Sequence, residues 1–241
     1  IGMLDPHHKV AGKGIKKLME AGVNVSVGTL EEDCKMLNKI FIKAHTTALP
    51  YVTLKWAETN NGFMARHKND LSTTKISDSN NNDLVHHLRG THQAILVGAS
   101  TVNNDNPRLD ARYSNGSNPV KIVLSTKLSV DLNKDLFMVG KTWVYNQLKS
   151  EVTDNYELIK LEQLSLLGIL QDLAARDIQS VLVEGGPLVL DSFISQQLWD
   201  EVIILKSSTE WADGIKAPWL GIPSYNEIKS NNDIIKYFKP A

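Results

Sequence analysis

The sequence predicts an α/β protein with a mostly parallel sheet flanked by helices, preceded by a small β-α-β-α piece. Three observations lead there. From Pro50 onward, short β-branched and aliphatic runs alternate with amphipathic segments, the pattern of strands joined by crossover helices. The runs are apolar along their length, as expected for strands covered on both faces. Finally, Ser180-Val181-Leu182-Val183-Glu184-Gly185-Gly186-Pro187 reads as a buried strand, a tight turn and a helix opened by proline, which continues through Leu188–Ile194.

The totals set bounds. With 241 residues, 42% of them hydrophobic, the chain buries a substantial core and holds one large domain, or one domain plus a fragment. No apolar run approaches the roughly 18 residues that span a bilayer, and the first residues lack a signal-peptide pattern. The expectation is a cytoplasmic protein with no membrane partner. One cysteine, Cys34, excludes an intrachain disulfide framework and a cysteine-built zinc site. A formal net charge of -1 argues against a nucleic-acid partner, which normally requires a basic surface.

The first 45 residues differ from the rest. Asp5-Pro6 makes a turn, Gly12 to Ala21 has helical spacing closed by Gly22, Val23 to Val27 alternates like a strand, and Leu30 to Ala44 is helical again. His7 and His8 read as a surface loop, since no third ligand stands at metal-site spacing. Residues 46–50 form a linker. Residues 51–241 then give strands at Tyr51–Ala57, Ala94–Gly98, Val120–Leu124, Thr142–Tyr145, Glu157–Leu161 and Glu201–Leu205, with helices at Asp78–Arg89 and Leu164–Arg176. Asn61-Gly62 is a turn signal.

Several residues stand out chemically. Lys55 lies inside the apolar first strand, where a charge is costly to bury without a partner or ligand. Glu184 closes its strand at the carboxyl end, where open α/β sheets place their ligand crevice. Gly185 and Gly186 can adopt positive φ and carry no Cβ, and the helix start that follows favours a phosphate. Taken alone, two glycines after a strand are also ordinary turn chemistry. Gly98, Ser100 and Thr101 offer a second place for phosphate or ribose oxygens. The loop Asn104-Asp105-Asn106-Pro107-Arg108-Leu109-Asp110-Ala111-Arg112 gathers arginines and carboxylates, and Arg89 and Arg112 have the planar fork suited to a phosphorylated substrate. Ser125-Thr126-Lys127 at a strand's end would accept a 2′-phosphate and so hints at NADPH. The G-x-G-x-x-G fingerprint after the first strand is missing.

Taken in order, Pro50-Tyr51-Val52-Thr53-Leu54-Lys55-Trp56-Ala57, Ala94-Ile95-Leu96-Val97-Gly98 with Thr101, Asp105-Asn106-Pro107-Arg108-Leu109 and Val183-Glu184-Gly185-Gly186-Pro187 resemble the reductase domain of the riboflavin-biosynthesis deaminase-reductases, a dihydrofolate-reductase-like fold. The likeness runs from about Pro50 to Leu205. It implies an NADPH-dependent 5-amino-6-(5-phosphoribosylamino)uracil reductase that converts the ribosyl group to ribityl, and a homodimer or larger. It implies catalytic roles for Lys55, Asp105 and Glu184. Ala57, Gly98, Thr101, Asp105, Thr126, Gly185 and Gly186 fall at cofactor positions, and Thr73, Arg89, Leu109, Arg112 and Glu184 at substrate positions, with Lys75 in the same loop as Thr73.

The front piece resembles the tail of a cytidine-deaminase-type domain through Val10-Ala11-Gly12-Lys13-Gly14 and Ala21-Gly22-Val23. That domain's zinc chemistry needs an H-x-E and a P-C-x-x-C, and neither is present, so no metal site is expected unless an upstream deaminase segment exists. Two other functions stay open: a zinc-dependent pyrimidine deaminase in a longer protein, and a non-catalytic nucleotide-binding module. The chain departs from the family pattern at Asn61, where an acidic residue is usual, at Ser125, where an aspartate is usual, and at Trp211–Pro218.

Overall fold

The structure, a computed structural model, describes residues 1–7, 9–67, 75–114 and 116–240. The chain divides into two compact units, one of Ile1–Tyr51 with Leu170–Gln179, the other of Val52–Ile169 with Ser180–Ala241.

The first unit carries helices α1 (Lys13–Glu20), α2 (Glu31–Leu37) and α3 (Lys39–Thr47). The strand expected at Val23–Val27 is absent, and Val23 and Val27 remain 48% and 47% exposed. Its backbone is held by the Val23 N–H donating to the Leu18 carbonyl at 3.0 Å and at the chain start, where the Ile1 amino group donates to the Ser26 carbonyl and Gly28 N–H to the Ile1 carbonyl, both at 2.9 Å. Without a neighbouring ladder, so short a pairing does not become a strand. The β-α-β-α expectation is therefore corrected to three helices with extended connections. The single helix expected over Leu30–Ala44 is broken at Asn38, whose side chain turns back to donate to the Cys34 carbonyl at 2.8 Å. Cys34 packs as expected: a Cβ on Gly2 would sit 2.1 Å from its Sγ.

The second unit is built on β1 (Tyr51–Glu58), β2 (Phe63–Ala65), α4 (Asn82–Thr91), β3 (Ala94–Gly98), α5 (Ala99–Asp105), β4 (Val120–Leu124), β5 (Thr142–Asn146), β6 (Glu151–Val152), β7 (Tyr156–Lys160), α6 (Leu166–Ala175, shared with the first unit), β8 (Ser180–Val183), α7 (Pro187–Ser195), β9 (Glu201–Ser207), β10 (Ile215–Lys216), β11 (Asn226–Ser230) and β12 (Asp233–Phe238). Among the described residues, ten strands form one sheet in the order β11-β12-β9-β1-β8-β3-β4-β5-β7-β6. The centre is parallel, with β1 on β9, β3 on both β8 and β4, β4 on β5 and β5 on β7. Antiparallel strands close both edges.

Every residue of β3 and β8 is buried, as an inner parallel strand requires. One layer of the core gathers Ile95, Val97, Val123, Val144 and Leu182 with Leu136 and Phe137 from the connection before β5. Fully burying each such side chain contributes roughly 1.5–3 kcal/mol. A charge sits at this level too. Lys121 of β4 is 3% exposed, and its ammonium donates to the Leu136 carbonyl at 3.0 Å and to that of Val139.

The C-terminal third, which the sequence leaves poorly placed, adds the β11–β12 hairpin to the sheet edge and the short β10, which pairs with β2. Asn61 explains how this tail is held. Its Nδ2 donates to the Trp211 carbonyl at 2.7 Å, while its Oδ1 accepts from Trp211 N–H at 3.3 Å and from the Thr59 hydroxyl at 2.8 Å. The Trp211 ring is buried with Phe63 and Ile76 beneath the Arg66 guanidinium, whose carbon lies 3.7 Å from the ring centroid. An aspartate at 61 accepts but cannot donate, and would set an oxygen against the Trp211 carbonyl. Asn61→Asp is therefore expected to destabilise the fold by about 1 kcal/mol. The check is a lower urea midpoint at unchanged slope.

Candidate active site

Strands β1, β8 and β3 are neighbours, and β8 and β3 run parallel, so the carboxyl ends of those two lie side by side. Lys55 projects from β1 between the buried Leu54 and Trp56 and is itself half-buried. It makes no hydrogen bond or ion pair among the described residues. Burial pushes its ammonium below the usual lysine value; Glu184 opposes that shift and Arg89 adds to it. Ala57, two residues on and therefore on the same face, packs against Phe63, Ile76 and Trp211.

Glu184 follows β8 directly, and its N–H donates to the Leu96 carbonyl of β3 at 3.0 Å. Its carboxylate takes the Arg89 fork in a two-point pair, Nε to Oε1 at 3.1 Å and Nη2 to Oε2 at 2.7 Å. The two side chains are only 10% and 14% exposed. Burial alone would raise the Glu184 carboxyl, but Lys55 and then Arg89 outweigh it and hold the acid below the ordinary carboxylate range. Arg89, expected to face substrate, is thus turned toward an acid of its own chain, and its Nη1 points to the Asp110 carbonyl at 3.4 Å.

The glycines at the strand ends divide the work. Neither Gly185 nor Gly186 takes a positive φ. A Cβ on Gly185 would fall 2.8 Å from Val189 Cβ, and one on Gly98 3.1 Å from Val189 Cγ2, so these two glycines let α7 close on the strand ends. A Cβ on Gly186 would meet only Thr101 Oγ1, at 3.5 Å. The open backbone is therefore at Gly186, beside Thr101 and at the start of α7, where no side chain caps the helix and its positive end favours an anion.

Asp105 ends α5 as an exposed carboxylate with no hydrogen-bond partner among the described residues, and desolvation raises it above its usual value. Leu109, at φ 52°, is 3% exposed and belongs to the core, so a ligand could meet only its backbone. Arg112 is more open, 41% exposed along its side chain, and its Nε donates to Asp110 Oδ1 at 2.7 Å. Thr126 is exposed just beyond β4, while the adjoining Ser125 is buried and its Oγ accepts from Val130 N–H at 3.2 Å. The hydroxyl that replaces the family's usual aspartate is therefore a turn-former. Lys75 is exposed, and Thr73 lies outside the described residues.

Sequence reasoning missed His86. It sits one turn before Arg89 on α4, 7% exposed, with its ring edge-on to Tyr113 at 4.6 Å and its Nδ1 without a hydrogen-bond partner among the described residues. Burial and the adjacent Arg89 keep the imidazole below its usual pKa. The signal was a polar residue on the inward face of a helix, which is indistinct beside His87. A cavity of about 480 Å³ opens at the Glu58 end of β1, lined by Asn61, Lys206, Lys216, Trp219 and Phe238 among others, and none of the site residues above lines it.

The mostly parallel sheet, with a buried acid and a glycine turn at the end of a central strand, defines an α/β domain of the kind found in riboflavin-biosynthesis deaminase-reductases. The RibD C-terminal domain model matches residues 50–208, and the chain belongs to that family. It is 32% identical over 235 residues to the riboflavin biosynthesis protein RibD of Aquifex aeolicus, covering 94% of this chain and 65% of that protein. With the RibD of Bacillus amyloliquefaciens the identity is 37% over 214 residues, covering 84% and 57% respectively. The chain thus spans 57–65% of the length of these relatives. Among solved structures, a diaminohydroxyphosphoribosylaminopyrimidine deaminase/5-amino-6-(5-phosphoribosylamino)uracil reductase from Thermotoga maritima superposes with a TM-score of 0.87 at 31% identity, covering 100% of this chain and 70% of that one. The riboflavin biosynthesis reductase Rib7 of Saccharomyces cerevisiae shares the fold at a TM-score of 0.66 and 20% identity, over 87% of this chain and 100% of that one.

Proposed function

We propose that this chain carries the NADPH-dependent reduction of 5-amino-6-(5-phosphoribosylamino)uracil, turning the ribosyl group into ribityl in riboflavin biosynthesis. The observation that carries the reading is the buried Arg89–Glu184 pair at the carboxyl end of β8, with the Lys55 charge of β1 acting on the same carboxylate, beside the open backbone at Gly186. When bound, the reduced nicotinamide supplies the hydride. Gly186, Thr101 and the start of α7 suit its pyrophosphate, and the Thr126 hydroxyl with Lys127 suits a 2′-phosphate.

The protein's own part is to orient the substrate and manage one proton. Lys55, which makes no hydrogen bond or ion pair among the described residues, is assigned to the sugar oxygens, and Glu184 to orienting the pyrimidine side. Asp105, an exposed carboxylate of raised proton affinity, suits a proton relay. Arg112 is free to take the sugar phosphate.

A cytoplasmic homodimer, or larger assembly, goes with this reading. Among the described residues no helix is long and apolar enough to cross a membrane, and no group of three metal-ligating side chains is present.

The test is loss of NADPH absorbance at 340 nm on adding the phosphoribosylaminopyrimidine, with gel filtration reporting the assembly. Turnover with NADPH well above that with NADH is the expected result. Tight cofactor binding with no turnover would instead favour a nucleotide-binding module.

A further inference from the structure

The end of β4 runs into a turn at Ser125–Leu128, closed by Leu128 N–H donating to the Ser125 carbonyl at 2.8 Å, with Thr126 and Lys127 exposed at its tip. Leu128 is held at φ 49°, a conformation that a leucine keeps only where surrounding contacts fix it. Two supports come from nearby backbone: Gln147 N–H donates to the Thr126 carbonyl at 3.1 Å, and Val130 N–H to Ser125 Oγ at 3.2 Å. The third comes from α5. Asn103 commits both ends of its carboxamide to the segment leaving the turn, Nδ2 donating to the Ser129 carbonyl at 2.9 Å and Oδ1 accepting from Asp131 N–H at 2.8 Å.

Asn103 stands two residues after Thr101 on the same short helix. Thr101 Oγ1 lies beside Gly186, 3.5 Å from where a Cβ there would stand. Helix α5 thus reaches both places that suit cofactor phosphates, the start of α7 through Thr101 and the Thr126–Lys127 tip through Asn103. We propose that Asn103 is a positioning residue for cofactor choice: it fixes the Ser125–Leu128 turn relative to Gly186 and so favours a dinucleotide that carries a 2′-phosphate. The proposal rests on the reductase reading and adds a residue that need touch no cofactor atom. A turn already fixed is engaged without being ordered at the moment of binding, and ordering it then would cost affinity. A cofactor lacking the 2′-phosphate makes no use of the tip, so loosening the turn leaves its affinity alone.

The experiment makes Asn103→Ala in the whole chain. Without ligand, the Asp131 amide should exchange its hydrogen about tenfold faster or more, having lost its acceptor. By calorimetry, adenosine 2′,5′-bisphosphate should bind about three- to tenfold more weakly, while adenosine 5′-phosphate should change by less than about twofold. In turnover the KM for NADPH should rise by the same about three- to tenfold, with kcat and the KM for NADH held within about twofold, a split that a general loss of structure would not give. Thr126→Ala and Asn103→Ala should combine less than multiplicatively on NADPH, because one acts through the turn that carries the other.

Equal weakening of both adenosine phosphates, an unchanged Asp131 exchange rate, or an NADPH preference that survives Asn103→Ala would each overturn the proposal. Asn103→Ser goes through the same measurements should the alanine variant fail to fold. An inactive wild type whose discrimination between the two adenosine phosphates depends on Asn103 would sink the reductase reading and leave this assignment standing. An active wild type indifferent to the 2′-phosphate would end the assignment and leave the reduction in place.

Discussion

Replacing Glu184 by alanine is expected to lower kcat by about 10²- to 10⁴-fold, the range typical of a positioned acid–base group. Lys55→Ala should fall in the same range. Two consequences of the Glu184 change have to be separated. Alanine removes the carboxylate and also strands the Arg89 guanidinium, 14% exposed, in a buried place, and losing one member of such a pair costs about 3–5 kcal/mol. Glutamine retains an oxygen for Arg89 and should recover part of that stability without recovering turnover. The pH dependence follows from the sign of the shift. Glu184 has a folded-state pKa below its ordinary 4.5, so the pair's contribution is complete above the unfolded value and is lost as pH falls through the depressed one. Wild type should therefore lose stability on acidification below about pH 4.3 more steeply than Glu184→Gln. Chemical denaturation across that range, alongside steady-state rates, measures both effects. Near-normal turnover in Glu184→Ala and Lys55→Ala would remove both residues from the reaction.

The second large effect is expected at the glycine turn, where two adjacent substitutions should fail differently. Gly185→Ala places a methyl 2.8 Å from Val189 Cβ and 2.9 Å from its Cγ1. Helix α7 must then lift off the strand ends, at about 1–3 kcal/mol. Val189→Ala in the same chain should relieve most of that cost. Gly186→Ala meets only Thr101 Oγ1 at 3.5 Å, an ordinary contact, so the fold should tolerate it. Its penalty should instead appear as a raised KM for NADPH, because the methyl occupies the one open stretch of backbone at the turn. Urea midpoints and cofactor KM values for the three variants decide the matter. A Gly186→Ala enzyme with unchanged cofactor affinity would move the pyrophosphate elsewhere.

The inner strands were legible because their apolar runs are short, continuous and bounded by turn residues. Ala94–Gly98 and Val120–Leu124 match β3 and β4 residue for residue. The two-residue strands β6 and β10 carry no periodicity to read, and the β11–β12 hairpin is exposed and charged along its outer strand. Val23–Val27 had strand-like alternation and no ladder to join, a fact of tertiary structure that local pattern does not contain. At the site, residue types and strand-end positions pointed to Lys55, Glu184 and the glycines. Sequence could not show that Arg89 would be engaged by Glu184, that Leu109 would face the core, or that Val189 would take the space above Gly185. Each depends on contacts between segments distant in the chain. Lys121 and His86 were invisible for a related reason: a buried polar residue inside an element looks like any other until its partners are known.

The Asn61–Trp211 clamp has a bearing on the ageing of the molecule. Asparagine followed by glycine is the dipeptide most prone to lose side-chain ammonia, because the next backbone nitrogen can attack the carboxamide through an unhindered neighbour. Here the Gly62 nitrogen is bound to the Thr59 carbonyl at 3.0 Å and the carboxamide is fixed at both ends, so the fold shelters this labile site. A molecule that spends time unfolded converts that residue to the acid and returns without the donor that fastens its own C-terminal third. Its history of unfolding would then be written into residue 61 as a covalent change.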